Sequence, residues 1–134
     1  MVFLTTYDSI FTQFMSINKT DPFNIPESDE GKYDMIHNAV FHFNNRLRDT
    51  LQYDDSSESV DRELSTDEIV ILTRFMRLTF LENQLTEFST LYQPFAADMG
   101  LRNYQAQVKS LQALVDNENT KIERVIDNMQ VDFL

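Results

Sequence analysis

An all-α fold, a bundle of about four helices with a long C-terminal helix and an extended tail, is predicted by three observations. The 134 residues contain only two glycines and three prolines, and all three prolines lie before or between helical patterns, which argues against a turn-rich β fold. The stretch from Leu64 to Phe88 opens on a helix-start signal and carries apolar residues around well over half its circumference. From Leu101 onward, apolar positions recur alternately three and four residues apart, as in a heptad seam.

The elements follow in chain order. Thr6 or Asp8 can cap a first helix whose apolar face is Ile10, Phe11, Phe14, Met15 and Ile17, ending near Asn18. Pro22 and Pro26 donate no backbone hydrogen bond and push the residues before them toward extended backbone, so 18–27 is predicted to be an extended connector. Ser28 then starts a second helix with the stripe Tyr33, Ile36, Val40, Phe43 and Leu47. Asp29 and Glu30 sit in its first turn and Arg46 and Arg48 at its end, where the helix dipole favours each sign. Residues 52–63, QYDDSSESVDRE, are acidic, serine-rich and nearly devoid of large apolar groups, which predicts a solvated, flexible loop.

The third helix is the expected organiser. Ser65 and Glu68 form a capping box, each side chain accepting the other's backbone N–H, and Leu64 and Ile69 can staple across it. Ile69, Leu72, Met76 and Phe80 mark one face, and Ile71, Phe75, Leu78, Leu85 and Phe88 another. A helix apolar on most sides belongs inside a bundle or between copies of one subunit. Around Pro94 and Gly100 the pattern breaks, and Leu91, Tyr92 and Phe95 are expected to tuck a crossover against the core. The last helix carries Leu101, Tyr104, Val108, Leu111, Val115, Ile122, Val125 and Met129 on its seam, with Glu118 at a step that the repeat assigns to the interior. That polar step predicts a solvated kink or an exposed end, or else a distal half that meets another subunit. Residues 101–129 would span about 43 Å at 1.5 Å per residue, more than a small bundle covers. Expected subunit-packing positions are Phe75, Leu78, Phe80, Leu85, Ile122 and Val125. Beyond them Met129, Val131, Phe133 and Leu134 alternate with Gln130 and Asp132, which predicts an extended tail that orders only on docking.

Composition narrows the function classes. The chain is long enough for one domain with its own core, residues 1–134. Without cysteine there is no disulfide, thiol nucleophile or thiolate-bound metal. The N-terminus has no basic region followed by a long apolar run, so neither a signal peptide nor a membrane span is expected. Eleven basic against 22 acidic residues give a net charge of −11, which repels phosphate backbones; an acidic wall would let DNA slide past without sticking.

No phosphate-binding glycine loop, zinc spacing or serine elbow occurs, so no catalysis and no cofactor are expected. His37 and His42 lie roughly 140° apart around their helix and are expected to be structural or surface residues, not a metal pair. The run Asp54, Asp55, Ser56, Ser57, Glu58 lacks the alternating ligands and turn glycine of a calcium loop.

Read as an ordered set, Leu64 before the Thr66-Asp67-Glu68 helix start, Met76 followed by Phe80 and Leu81, Gln84 with Leu85, and Tyr104 and Ala106 ahead of Leu111 and Leu114 resemble the head-tail connector (neck or adaptor) proteins of tailed phages of Gram-positive bacteria. The short first helix, the extended break and a second helix carrying Ala39 and Phe43 are similar too, so the resemblance covers roughly residues 7–126. Phe80 stands where a tryptophan is more usual, and the stretch 52–63 is longer. The resemblance implies a virion protein at the head-tail junction, assembled in the host cytoplasm as a homo-oligomeric ring of about twelve subunits. Its implied partners are the portal protein above, docked by the tail of Met129, Val131, Phe133 and Leu134, and the next neck or tail protein below, with double-stranded DNA passing unbound. A rival reading is an acidic DNA mimic that occupies a host DNA-binding protein, which would align carboxylates at phosphate-like spacing on one exposed face.

Overall fold

In a computed structural model of the chain, residues 4–17, 29–92, 94 and 100–131 are described. Among these the elements are helix α1 (Tyr7–Ile17), helix α2 (Asp29–Leu47), a short hairpin of β1 (Tyr53–Asp54) and β2 (Ser59–Val60), helix α3 (Thr66–Tyr92) and helix α4 (Leu101–Val131). The all-helical architecture and the long last helix match the sequence prediction. Ser28, Phe95 and most of the two proline-containing connectors lie outside the described residues.

The starts of α1, α3 and α4 have their cause in the sequence. The Thr6 hydroxyl accepts the Ser9 N–H at 3.2 Å and so caps α1. The capping box of α3 forms as expected, with the Glu68 N–H donating to Ser65 Oγ at 3.2 Å and the Ser65 N–H to Glu68 Oε1 at 3.0 Å. Gly100, at φ +88°, turns the chain into α4 through a conformation that a residue with a Cβ adopts only under strain. At the other end of α2, Arg48 takes a left-handed φ of 54° and the Asp49 N–H reaches back to the Asn44 carbonyl at 3.1 Å, a Schellman closure. Asn44 then clamps the departing chain with its amide, donating to the Leu51 carbonyl and accepting the Leu51 N–H, both at 2.9 Å.

The buried side chains form one cluster centred on α3, which packs against each of the other three helices. Tyr7, Ile10 and Phe14 enter it from α1, and Met35, Ile36, Ala39, Val40 and Phe43 from α2. Fully burying each large apolar side chain contributes about 1.5–3 kcal/mol, so this convergence on one helix outweighs its local propensities. Met15, expected in the α1 face, is instead exposed. Thr73, buried on α3, satisfies its hydroxyl by donating back to the Ile69 and Val70 carbonyls at 2.9 and 3.0 Å.

Helix α4 runs antiparallel to α3 and departs from the predicted seam in three ways. The interior positions are Val115, Glu118, Ile122 and Ile126, while Val125 is half-buried. A strict seven-residue repeat drifts by about 20° per heptad on a straight helix, and the step of four from Ile122 to Ile126 corrects that drift. Glu118 neither kinks the helix nor meets solvent: it is 2% exposed, because Arg74 and Arg77 of α3 reach it from across the interface. The covered half of α4 is therefore the distal one, packed on its own subunit. The first half, Leu101 to Leu114, buries no side chain completely. Finally, the helix continues through Val131, so the backbone at Met129 and Val131 is helical where an extended tail was predicted. Alternation over so few residues does not outweigh one more turn of an existing helix, which adds a hydrogen bond for each residue fixed.

Candidate functional site

Two regions have the geometry to do something beyond holding the core. The first is the acidic segment, which is a docked hairpin and not the solvated loop its composition predicts. Its four-residue turn closes with Glu58 in the left-handed region, at φ 51°. Tyr7 N–H donates to the Glu58 carbonyl at 2.8 Å and Val60 N–H to the Thr5 carbonyl at 2.9 Å, so the N-terminal strand segment extends the hairpin. Ser59 and Val60 are buried beneath it.

The acidic side chains of this hairpin are anchored one by one. Tyr7 Oη donates to Asp55 Oδ1 at 2.6 Å, and the His37 Nε2–H, the only possible donor toward a carboxylate, lies 2.9 and 3.0 Å from the two Asp55 oxygens. Tyr53 stacks on the His37 ring at 4.0 Å, and Tyr33 Oη donates to Glu58 Oε1 at 3.0 Å. Burial, reinforced by the Asp55 carboxylate, pushes the Tyr7 hydroxyl well above its ordinary range. The hydrogen bonds from Tyr7 and then His37 hold Asp55 below the usual aspartate value. At the hairpin's other end Arg62 grips Asp49 with two bonds, 2.9 and 2.7 Å, and also meets Glu68, so one guanidinium ties the α2 exit to the first turn of α3. That fork lowers the Asp49 pKa and raises that of Arg62.

Tyr, Asp and His are acid–base residue types, but they bond to one another, and of the three only Tyr7 lines the small adjoining cleft of about 70 Å³, with Asp8, Phe11, Lys32, Tyr33 and Glu58. Their arrangement works as a latch. Asp55 and Asp49 both titrate lower in the folded chain than in the unfolded one, so protonation favours the unfolded state. Their contribution is fully present above about pH 4, the unfolded aspartate value, and is lost as pH falls through the lower folded values. Protection of the 53–60 amides, taken relative to the intrinsic exchange rate at each pH, should accordingly hold from pH 7 to 5 and fall below about pH 4, and Asp55→Asn should remove much of that acid onset. Equal protection of the hairpin at pH 6 and pH 3 would show that the carboxylates do not hold it.

The second region is the set of outward helix faces. Of the positions expected to pack subunits, Phe75, Leu78, Phe80 and Ile122 are buried in this subunit's own core, and Leu85 and Val125 are partly buried against it. These six residues pack within the subunit, with Phe75 against His42 of α2 and Phe80 against Phe14 of α1. Met129 and Val131 fall in the last turn of α4, and Phe133 and Leu134 lie outside the described residues. Large apolar side chains that do face outward are Phe41 on α2, 65% exposed, and Leu101 and Leu114 on α4, 60% and 44% exposed. Where α3 ends and α4 begins, Phe88 stacks on Tyr104 at 5.6 Å and Tyr104 Oη donates to the Ser89 carbonyl at 3.1 Å, which holds the two helices together.

The buried Glu118–Arg74–Arg77 group and the Tyr7–Asp55–His37 latch were both missed by pattern reading. For the first a signal existed, a glutamate in register with an apolar seam and two arginines one turn apart in an apolar helix. For the second there was none, because its members are far apart in the chain. Among the described residues no group of three or more His, Asp or Glu side chains is placed to hold a metal ion, and no helix is long and apolar enough to cross a membrane.

The family model described as YomZ prophage protein matches residues 2–131. The chain is 44% identical over 131 residues, 98% of its length and all of the relative's, to the SPbeta prophage-derived uncharacterized protein YomZ of Bacillus subtilis (strain 168). No solved structure matches. With four helices among the described residues and a match over nearly the whole chain, this protein belongs to the YomZ prophage protein family and is of phage origin.

Proposed function

We propose that this protein is a head-tail connector subunit, a structural virion component that assembles as a ring on the portal, continues the DNA channel and receives the next neck or tail protein. It binds no cofactor and catalyses no reaction in this role. The observation that carries the reading is the first half of α4. Fourteen residues, Leu101 to Leu114, project about 20 Å of helix covered mainly on the α3 side, and such a surface suits a subunit whose remaining neighbours are other proteins. Phage ancestry, the ordered motifs shared with connectors and the net charge of −11 are consistent with it. The acidity suits a conduit that DNA passes without being held. The DNA-mimic alternative needs a long row of free carboxylates on one face, and six carboxylates, Asp49, Asp55, Glu58, Glu68, Glu118 and Glu123, are withdrawn from any such row by partners inside the subunit.

Mixing the full chain with purified portal of the same phage and measuring complex mass tests the reading. A defined multiple of this subunit on the portal is the expected result, and failure to bind portal together with tight binding to a basic host DNA-binding protein would overturn it. In this reading Met129, Val131, Phe133 and Leu134 form the portal-docking end. Ending the chain after Asn128 should leave the melting temperature nearly unchanged while weakening portal attachment by about tenfold or more. Undiminished attachment would assign docking to another surface.

A further inference from the structure

Resting on that oligomeric reading, we infer that neighbouring subunits join by seating the outward face of α4 from one copy on the outward face of α2 from the next. The sequence from Leu101 to Val115, LRNYQAQVKSLQALV, contains two basic residues and no Asp or Glu in a chain of net charge −11. Arg102 and Lys109 are seven residues apart and thus lie within about 20° of each other on the helix. Both are exposed, and neither forms an ion pair with a described residue. Exposed Ala106 and Ala113 share this face, allowing close approach, while exposed Leu101 and Leu114 lie about 110° around the helix from its centre, on either side of the α3 contact.

Helix α2 carries the complement. Glu30, Asp34 and Phe41 lie within about 40° of one another, all exposed, and the two carboxylates have no ion pair among the described residues. One face thus offers two cations among exposed alanines, and the other two anions beside a phenylalanine that is 65% exposed. An unpaired basic stripe on a strongly acidic protein repels other basic partners and is attracted to an acidic surface, while the apolar side chains supply the burial that exposed charges alone do not. The two faces belong to different helices of one subunit, and in the ring of the proposed function they pair head to tail, a heterologous contact. Each copy keeps one α4 face and one α2 face to offer, and repetition closes a ring when the rotation permits.

Charge reversal and its rescue test this pairing. The size of the full chain would be measured by light scattering and sedimentation across protein and salt concentrations, alone and on the portal. Arg102→Glu/Lys109→Glu and, separately, Glu30→Lys/Asp34→Lys should each weaken self-association at least about tenfold with helix content and melting unchanged. The variant carrying all four reversals should regain it. Association indifferent to both reversals, or a folded fourfold variant that stays dissociated, overturns the pairing even if the subunit still binds portal, so the connector reading is judged separately by portal binding. A wild-type chain that remains monomeric both alone and on the portal also overturns it. So does retarded migration of double-stranded DNA that is lost on Arg102→Glu/Lys109→Glu, since the occupant of the basic face is then phosphate.

Discussion

Phe75→Asp is expected to unfold most of the protein at 25 °C. Phe75 is 7% exposed on α3 and stacks on His42 at 5.7 Å, so the variant loses a buried ring and gains a carboxylate in an apolar layer. Removing the ring alone costs about 3–5 kcal/mol, and an unpaired buried charge adds several more unless the side chain takes up a proton. A domain of this size has about 5–15 kcal/mol in total. Leu78→Asp, at a site 8% exposed, should follow the same course with a somewhat smaller loss, since less apolar volume is removed. Leu114→Asp, 44% exposed on α4, provides the contrast and should change stability by no more than about 0.5 kcal/mol. Urea titrations followed by circular dichroism read all three. If Phe75→Asp keeps a wild-type midpoint, α3 is not the element on which the others pack.

Why α3 could be identified in advance, and the rest only in part, follows from the range over which each signal acts. A capping box and an apolar circumference are local, confined to the turns of one helix, so Ser65, Glu68 and the buried positions from Ile71 to Leu81 are readable from the chain alone. The α2 stripe is readable for the same reason. The hairpin at 53–60 is not: a run of Asp, Ser and Glu is solvated on its own and becomes ordered only because Tyr7, Tyr33 and His37 arrive from two other helices. The α4 seam lies between these cases. Its period is local, but which of Val125 and Ile126 turns inward depends on the helix remaining straight against α3, and whether Glu118 is solvated depends on arginines more than forty residues earlier. Assembly is further still from local pattern. Phe75, Leu78, Phe80 and Ile122 were readable as apolar, and only their placement in the fold shows that they are committed to the subunit's own core.

Glu118→Ala is expected to destabilise the subunit by about 3 kcal/mol, lowering its melting temperature by roughly 10 °C. Glu118 sits between Val115 and Ile122 on the buried face of α4, and its two oxygens accept from Arg74 Nη1 at 3.2 and 3.4 Å and from Arg77 Nε at 3.3 Å. These are long contacts, and Arg74 Nε has no hydrogen-bond partner among the described residues, so the group is held by charge more than by ideal geometry. Two cations share one anion. Taking the carboxylate away removes the anion that Arg74 and Arg77, side by side on α3, share at the α4 interface, and the cost of two like charges at that interface without it is what the melting temperature reports. The same reasoning gives the opposite sign for removing the whole group. Glu118→Leu combined with Arg74→Met and Arg77→Met replaces an ion group joined by long contacts with side chains that pack, and should recover the wild-type melting temperature or exceed it. What the charge-free variant should lose is register. A buried ion group opposes sliding of α4 along α3, whereas an unbroken apolar seam running from Val115 through the substituted position to Ile122 would accept a displaced partner nearly as well. The combined variant should therefore melt less cooperatively and show more than one set of amide resonances along α4. Wild-type stability in Glu118→Ala would mean that both arginines reach water and that the group contributes nothing; a combined variant as unstable as the single one would mean that its members pack in ways their charges do not explain.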